Sequence, residues 1–433
     1  MKKSIRRIGV AVCLIVCSLC LFSCNGKSTA LGVAPNPQSL DYEVRNRQSF
    51  KDITAGAEAF AAKFADCAYA DFEGDSNVVF SPISVFSALA FAAECAAGQT
   101  ETQILNAIGV SKEILRSDFA NLYNALSYEY KSGYNVTSRV KVSNSVWIND
   151  GVDFNNDCIN TLAYNYYCNS FKTDFANDNE NANKAVRKFI KDNTSGLIDQ
   201  NLGLSSDTLF ALICTLYLKD IWNYAGDDLP FADGDFTFKD KKGNESSVRL
   251  LQGDYCAGRA VETETFFTFY TRTLRGYKIK FILPKDGYEV GDVFNKQNIA
   301  YVNGIEDYQS EGQDGKNYFT RCLFPEFSAA YSADISQILK VQFGINDLFD
   351  VASCNLSSLT SDSVYCGEIR HMAKLKVNKK GVEGAAAVVM PGDTAPGPSE
   401  RICSDFIVNR AFGFILTDRY DTTLFSGVIH YAN

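Results

Sequence analysis

Residues 209–218 read LFALICTLYL, an almost wholly apolar run of strand length. A strand that is apolar on both sides has no face to offer water, so it must lie inside a large sheet covered above and below. The rest of the chain has to supply that cover. Before the run, helical spacing dominates. Residues 55–70 place Phe60, Phe64 and Cys67 at helical intervals, and residues 83–97 are apolar nearly all round, as in a buried helix. Ser81-Pro82 reads as an N-cap followed by an N1 proline. Further helices are predicted over 100–108, 156–167 and 181–194, with strands from Asn77 and over 140–148. After the run, strand patterns take over at 236–238, 266–272, 277–283, 322–327, 368–377, 407–416 and 423–429, with one helix at 332–343. Helices first and strands later imply an α+β fold with large mixed sheets.

The chain opens with a basic flank, Lys2-Lys3 and Arg6-Arg7, and then runs apolar from Ile8 to Phe22. That run is too short to cross a bilayer as a helix and fits a secretory signal. It ends Leu21-Phe22-Ser23-Cys24, which resembles a bacterial lipobox. The resemblance implies a signal peptide over 1–23, a lipid on Cys24 and an extracytoplasmic protein held at a bacterial membrane or cell surface. Residues 24–51 are polar and without period, and read as a flexible tether reaching roughly 28 Å from the lipid. Residues 52–433 have the composition of a globular protein.

A net charge of −9 argues against nucleic acid as a partner, since little here would neutralise phosphates. Of fourteen cysteines, ten lie beyond the signal segment, with no CxxC pair and no histidine at zinc spacing. Most read as small core residues, with a disulfide or two compatible with the compartment. The chain has two histidines, His371 and His430, neither in a nucleophile context, and no metalloprotease, P-loop or dinucleotide motif. Neither an enzyme nor a metal or cofactor site is expected.

Residues 381–392, GVEGAAAVVMPG, combine low bulk with few charges and make a poor helix. Read as a strand with Val382 inward, one face carries Val382, Gly384, Ala386, Val388, Met390 and Gly392. Glu383 and Asp393 fall on the other face with Ala385, Ala387, Val389 and Pro391. Small inward groups can slide between existing strands, whereas a buried charge would block them. Alternation alone fits a plain edge strand or a linker equally well.

Several segments together resemble the serpin family: NVVFSPISVFSALAFAAECAAGQTETQILNAI (77–108), YYCNSFKTDFANDNENANKAVRKFIKDNTSGLI (166–198), LICTLYLKDIW (212–222), then KIKFILPKDG, FPEFS, FGINDLFD, CNLSSL and the tail NRAFGFILTDRYDTTLFSGVIHYAN. The match runs from about residue 55 to the end. It implies three β-sheets, about nine helices and an exposed reactive loop, in a monomer without cofactor. It implies a suicide-substrate inhibitor of serine proteases, with some cysteine proteases as further partners, whose cleaved loop inserts into the main sheet. A non-inhibitory binding protein is the alternative within the family.

The resemblance also assigns residues. Gly381, Val382, Glu383, Gly384, Ala385, Ala386, Ala387 and Val388 match the loop hinge. Ser81, Ser84 and His371 match the polar shutter that lets central strands part, and Trp222 matches the tryptophan where the loop enters. Cys214 stands where the family has the shutter asparagine, and Lys379 replaces an acidic residue. Counting about fourteen residues from Gly381 gives Ala395 as the scissile residue, followed by Pro396, with Thr394 its neighbour. Counting back from the tail lands near Glu400-Arg401, because the loop is about five residues longer than usual. Arg401 suits a trypsin-like enzyme, and Thr394 or Ala395 an elastase-like one.

Overall fold

The computed structural model describes residues 28–132, 135–222, 228–306, 308–312, 315–383 and 401–432. Its centre is an eight-stranded sheet. In chain order the strands are β1 (Thr29–Gly32), β2 (Tyr128–Ser132), β3 (Asn135–Asn149), β4 (Cys168–Thr173), β5 (Phe210–Ile221), β6 (Phe327–Asp334), β7 (Arg370–Asn378) and β8 (Gly381–Val382). Across the sheet the order is β1-β4-β3-β5-β8-β7-β6, with β2 beside the start of β3. The apolar run becomes β5, and its side chains divide between two cores. Phe210, Leu212, Leu216 and Leu218 join the main core, while Ala211 and Ile213 join a smaller one with Trp147, Phe189 and Ile190. Both faces are covered, as an all-apolar strand requires.

The main core lies under helices α1 (Gln48–Ala70) and α2 (Pro82–Cys95), every residue of α2 being buried. After α3 (Gly98–Ile108) comes α4 (Lys112–Leu126), a helix missing from the sequence reading. Its stripe of Leu115, Phe119, Leu122 and Leu126 is buried and Ser111 caps it. α5 (Asn156–Tyr166) and α6 (Asn179–Asn193) follow, α6 covering the smaller core. Three short helices, Val290–Val293, Lys296–Asn303 and Ser336–Phe343, complete nine α-helices among the described residues.

A six-stranded sheet stacks behind, and a three-stranded sheet joins Arg401–Ile407, Asn317–Pro325 and Leu250–Ala257. A two-stranded hairpin, Phe236–Lys239 with Glu245–Val248, adds a fourth sheet to the expected three. The strand expected over 407–416 is split. Arg401–Ile407 belongs to the three-stranded sheet and Phe412–Thr417 to the six-stranded one, so the chain changes sheets between them.

The described part of the polar segment 24–51 is not a free coil. β1 pairs antiparallel with the sheet edge β4, the Ala34 and Gln38 N–H groups donate to Asn169 Oδ1 (3.0 Å) and Asn124 Oδ1 (2.9 Å), and α1 begins at Gln48. An edge strand recruits partners through backbone groups, which leave no side-chain period to read.

Candidate functional site

β8 is two residues long, yet it occupies the middle of the sheet. Val382 faces Asp220 of β5 and Val377 of β7, and Gly381 faces Ile221 and Asn378, all antiparallel. Among the described residues no register joins β5 directly to β7; β8 stands between them. Gly381 has φ +147°, and a Cβ there would lie 2.1 Å from the Asp220 carbonyl oxygen, so only glycine fits. Val382 is fully buried. The Glu383 N–H donates to the Lys376 carbonyl of β7 at 2.6 Å.

Glu383 then breaks from strand geometry, with φ +66°. Its Oε1 accepts from the Tyr217 hydroxyl at 3.1 Å, while the buried Oε2 has no donor. Burial pushes its carboxyl up to about 7. Burial, and then the neighbouring Glu383, push the Tyr217 phenol up to about 12.

Above the hinge, Trp222 Nε1–H donates to the Asn378 carbonyl at 2.7 Å and packs edge-on against Phe324. Lys379 finds an acid of its own, with Nζ 2.9 Å from Asp228 Oδ2, while its backbone N–H donates to Glu326 Oε1 at 2.8 Å. The charge reversal at this position is therefore answered locally.

Lower in the sheet, the Ser81 N–H donates to His371 Nε2 at 3.0 Å. Ser81 Oγ meets Ser84 Oγ at 2.9 Å and donates to the Leu424 carbonyl at 3.1 Å. Ser81 precedes Pro82 but makes no side-chain cap bond, because its hydroxyl is spent on these tertiary partners. His371 sits edge-on to Phe64 and tilted against Tyr331. Burial drives its pKa down to about 3, and a nitrogen already accepting an N–H has no room for a proton. Cys214 of β5 stands opposite Asn144 of β3, and burial pushes its thiol up. An asparagine is thus present one strand over, with Nδ2 donating to the Tyr166 carbonyl at 3.5 Å.

Gly381, Val382, Glu383 and Trp222 therefore gather at one end of the β5–β7 gap, and Ser81, Ser84 and His371 further along it. Cys24, Gly384, Ala385, Ala386, Ala387, Val388, Thr394 and Ala395 lie outside the described residues. Arg401 is the first residue of a strand, paired with Asn317, its guanidinium 5.2 Å from the Phe319 ring. Sequence reasoning missed Tyr217 and Asp228. Tyr217, the polar-tipped member of the apolar run, was the available signal; Asp228 had none.

Neither histidine offers a free base. His371 Nε2 is engaged by the Ser81 amide, and His430 lies between the Asp75 and Ser76 carbonyls and the Tyr69 hydroxyl. The arrangement suits separating and refilling strands better than bond-breaking chemistry.

A sequence profile of the serpin (serine protease inhibitor) family matches residues 55–431. Alpha-1-antiproteinase S of Cavia porcellus is 24% identical over 364 residues, covering 82% of this chain and 84% of its own length. Among solved structures, the native state of the thermophilic serpin tengpin superposes with a TM-score of 0.68 at 20% identity, over 93% of this chain and all of that one. Human thyroxine-binding globulin in complex with thyroxine gives 0.69 at 19% identity, over 89% of this chain and all of that one. At such identities the structures speak for the fold alone.

Proposed function

The chain belongs to the serpin family, and from that premise we propose that it is a suicide-substrate inhibitor of serine proteases. The observation that carries this reading is β8. The first residues after β7 already turn back as a new central strand, paired on both sides and standing between strands that share no ladder of their own. A protease that cuts the loop frees its upstream part to extend β8 along β5 and β7. Each added ladder bond is worth about 1 kcal/mol net, so a dozen residues contribute on the order of 10 kcal/mol, besides apolar burial. The acyl-linked enzyme is dragged along and its active site distorted.

Arg401 is paired in a strand, and a protease needs an extended, free segment; cleavage upstream of it is the better fit. Cleavage at Arg401 would also leave six residues beyond Ala395, roughly 20 Å of slack, which weakens the pull on the enzyme. Incubation with trypsin-, elastase-, chymotrypsin- and subtilisin-type proteases should yield an SDS-resistant adduct with at least one. If every enzyme merely clips the loop, inhibition is wrong. The loop's extra length and Pro391 favour a second reading, a non-inhibitory binding protein, in which cleavage leaves the melting temperature unchanged.

The lipobox-like end of the leader supports a lipid on Cys24 and an extracytoplasmic site of action. Because the described chain is attached to the body from β1 onward, Cys24–Lys27 would span at most about 14 Å. The inhibitor would then stand against the membrane rather than sway above it. Mass spectrometry of the N-terminal peptide, with Cys24→Ser as control, tests the anchor.

A further inference from the structure

Three arginines define how this protein uses the Nε/Nη2 edge of a guanidinium. Arg116 grips Glu94 through that edge at 3.0 and 2.7 Å, and Arg321 grips Asp405 at 2.8 and 2.9 Å. Arg275 presents the same fork, and its Nε and Nη2 are shut off from water with no acceptor. Its plane is fixed by stacking on Tyr130, 3.4 Å from the ring centroid. Asp220 does not fill the vacancy, since its Oδ2 takes only the Arg275 backbone N–H, at 3.0 Å. Two buried donors without a partner are costly, and a planar bidentate fork is what recognises an oxyanion.

Arg275 lines a cleft of about 900 Å³, bounded by the N-terminal segment, the end of α4, the start of β3 and two hairpin turns. Within a chain of net charge −9, this cleft collects five cationic side chains, Arg45, Arg139, Lys141, Arg275 and Arg419, against two carboxylates. Both carboxylates are already engaged. Glu129 pairs with Arg139, and Asp418 Oδ1 accepts the backbone N–H groups of Tyr420 and Thr422 at 2.9 and 2.8 Å. Arg45 lies flat on Tyr420 at 3.3 Å, its fork edge likewise turned to the cleft's surroundings rather than to an acid. Burial holds the Lys141 amine below its ordinary value, a cost that a nearby anion would remove.

We propose that this cleft binds a small organic polyanion, one of whose carboxylate or phosphate groups seats on the Arg275 fork. The remaining negative charge would face the cations around the rim, where its attraction is screened by salt.

The test is calorimetric titration of the full chain, at low ionic strength, with citrate and separately with inorganic triphosphate. Saturable one-to-one binding is expected, the tighter arm identifying the head group. Arg275→Gln should weaken it at least ten-fold and Lys141→Gln several-fold, while Arg187→Gln, on α6 and paired with Asp199, should leave it unchanged. Without anion, Arg275→Gln should melt no lower than the parent, because it deletes two unsatisfied donors. No saturable heat from either probe, or an Arg275→Gln titration matching the parent, overturns the proposal. So does a large loss of melting temperature in that variant, which would mean the fork serves Asp220. If Arg275→Gln fails to fold, Lys141→Gln alone decides, and parent-like affinity sinks the site.

Discussion

The two ends of the β5–β7 gap are built on opposite principles. At the shutter, every polar group of Ser81, Ser84 and His371 named above has a partner, and the histidine is kept neutral by burial. At the hinge, Gly381 touches the neighbouring backbone, Glu383 holds a left-handed conformation, and one buried carboxylate oxygen has no donor. Satisfied polar clusters seal a structure; strained and unsatisfied ones mark where it is ready to move. The contrast teaches that resistance to opening is stored low in the sheet and readiness to change is stored at its top.

The largest effect expected is on the whole molecule. Cutting the loop should raise the melting temperature by about 20 °C or more, given on the order of 10 kcal/mol of new pairing. Calorimetry before and after limited proteolysis checks this, and equal values would erase the hinge's claim to be a strand in waiting. Next comes the shutter. His371→Ala strands the Ser81 amide and opens a cavity, and should cost about 2–4 kcal/mol in urea unfolding. A loss below half that would show the seal lies elsewhere.

Gly381→Ala acts at the other end. Its Cβ collides with the Asp220 carbonyl, so β8 should leave the sheet at a cost of about 1–3 kcal/mol. Faster proteolysis at the hinge and a shift in Trp222 fluorescence report it, and an unchanged rate would mean β8 is not a docked state.

The smallest effect is the most discriminating, because the two ends titrate with opposite signs. Glu383 rises from its ordinary 4.5 to about 7, so its contribution to docking is complete below 4.5 and is lost as pH climbs through about 7. His371 falls from 6.5 to about 3, so its contribution is complete above 6.5 and is lost as pH drops through about 3. Raising pH from 4.5 to 7 should loosen the hinge while firming the shutter. Hinge proteolysis followed across that range should lose its pH dependence in Glu383→Gln, where Lys219 and Tyr217 remain as the facing groups; a slope that survives assigns the effect to another group.

Much of this could be read from residues alone. An all-apolar strand can only be central, and the stripes of α1 and α2 can only be buried, because solvation allows little else; the family segments placed the hinge and the shutter. Other features needed the folded chain. The hydroxyl of Ser81 chose His371's neighbourhood over the helix it precedes, since tertiary partners outbid a local cap. The polar N-terminal segment became an edge strand through backbone groups that no side-chain pattern encodes. Tyr217 and Asp228 acquired their roles only when distant strands brought Glu383 and Lys379 beside them. Periodicity and bulk are properties of neighbours in sequence and survive in the string of letters, whereas an acceptor for a particular donor is a property of neighbours in space, and only the packed structure supplies it.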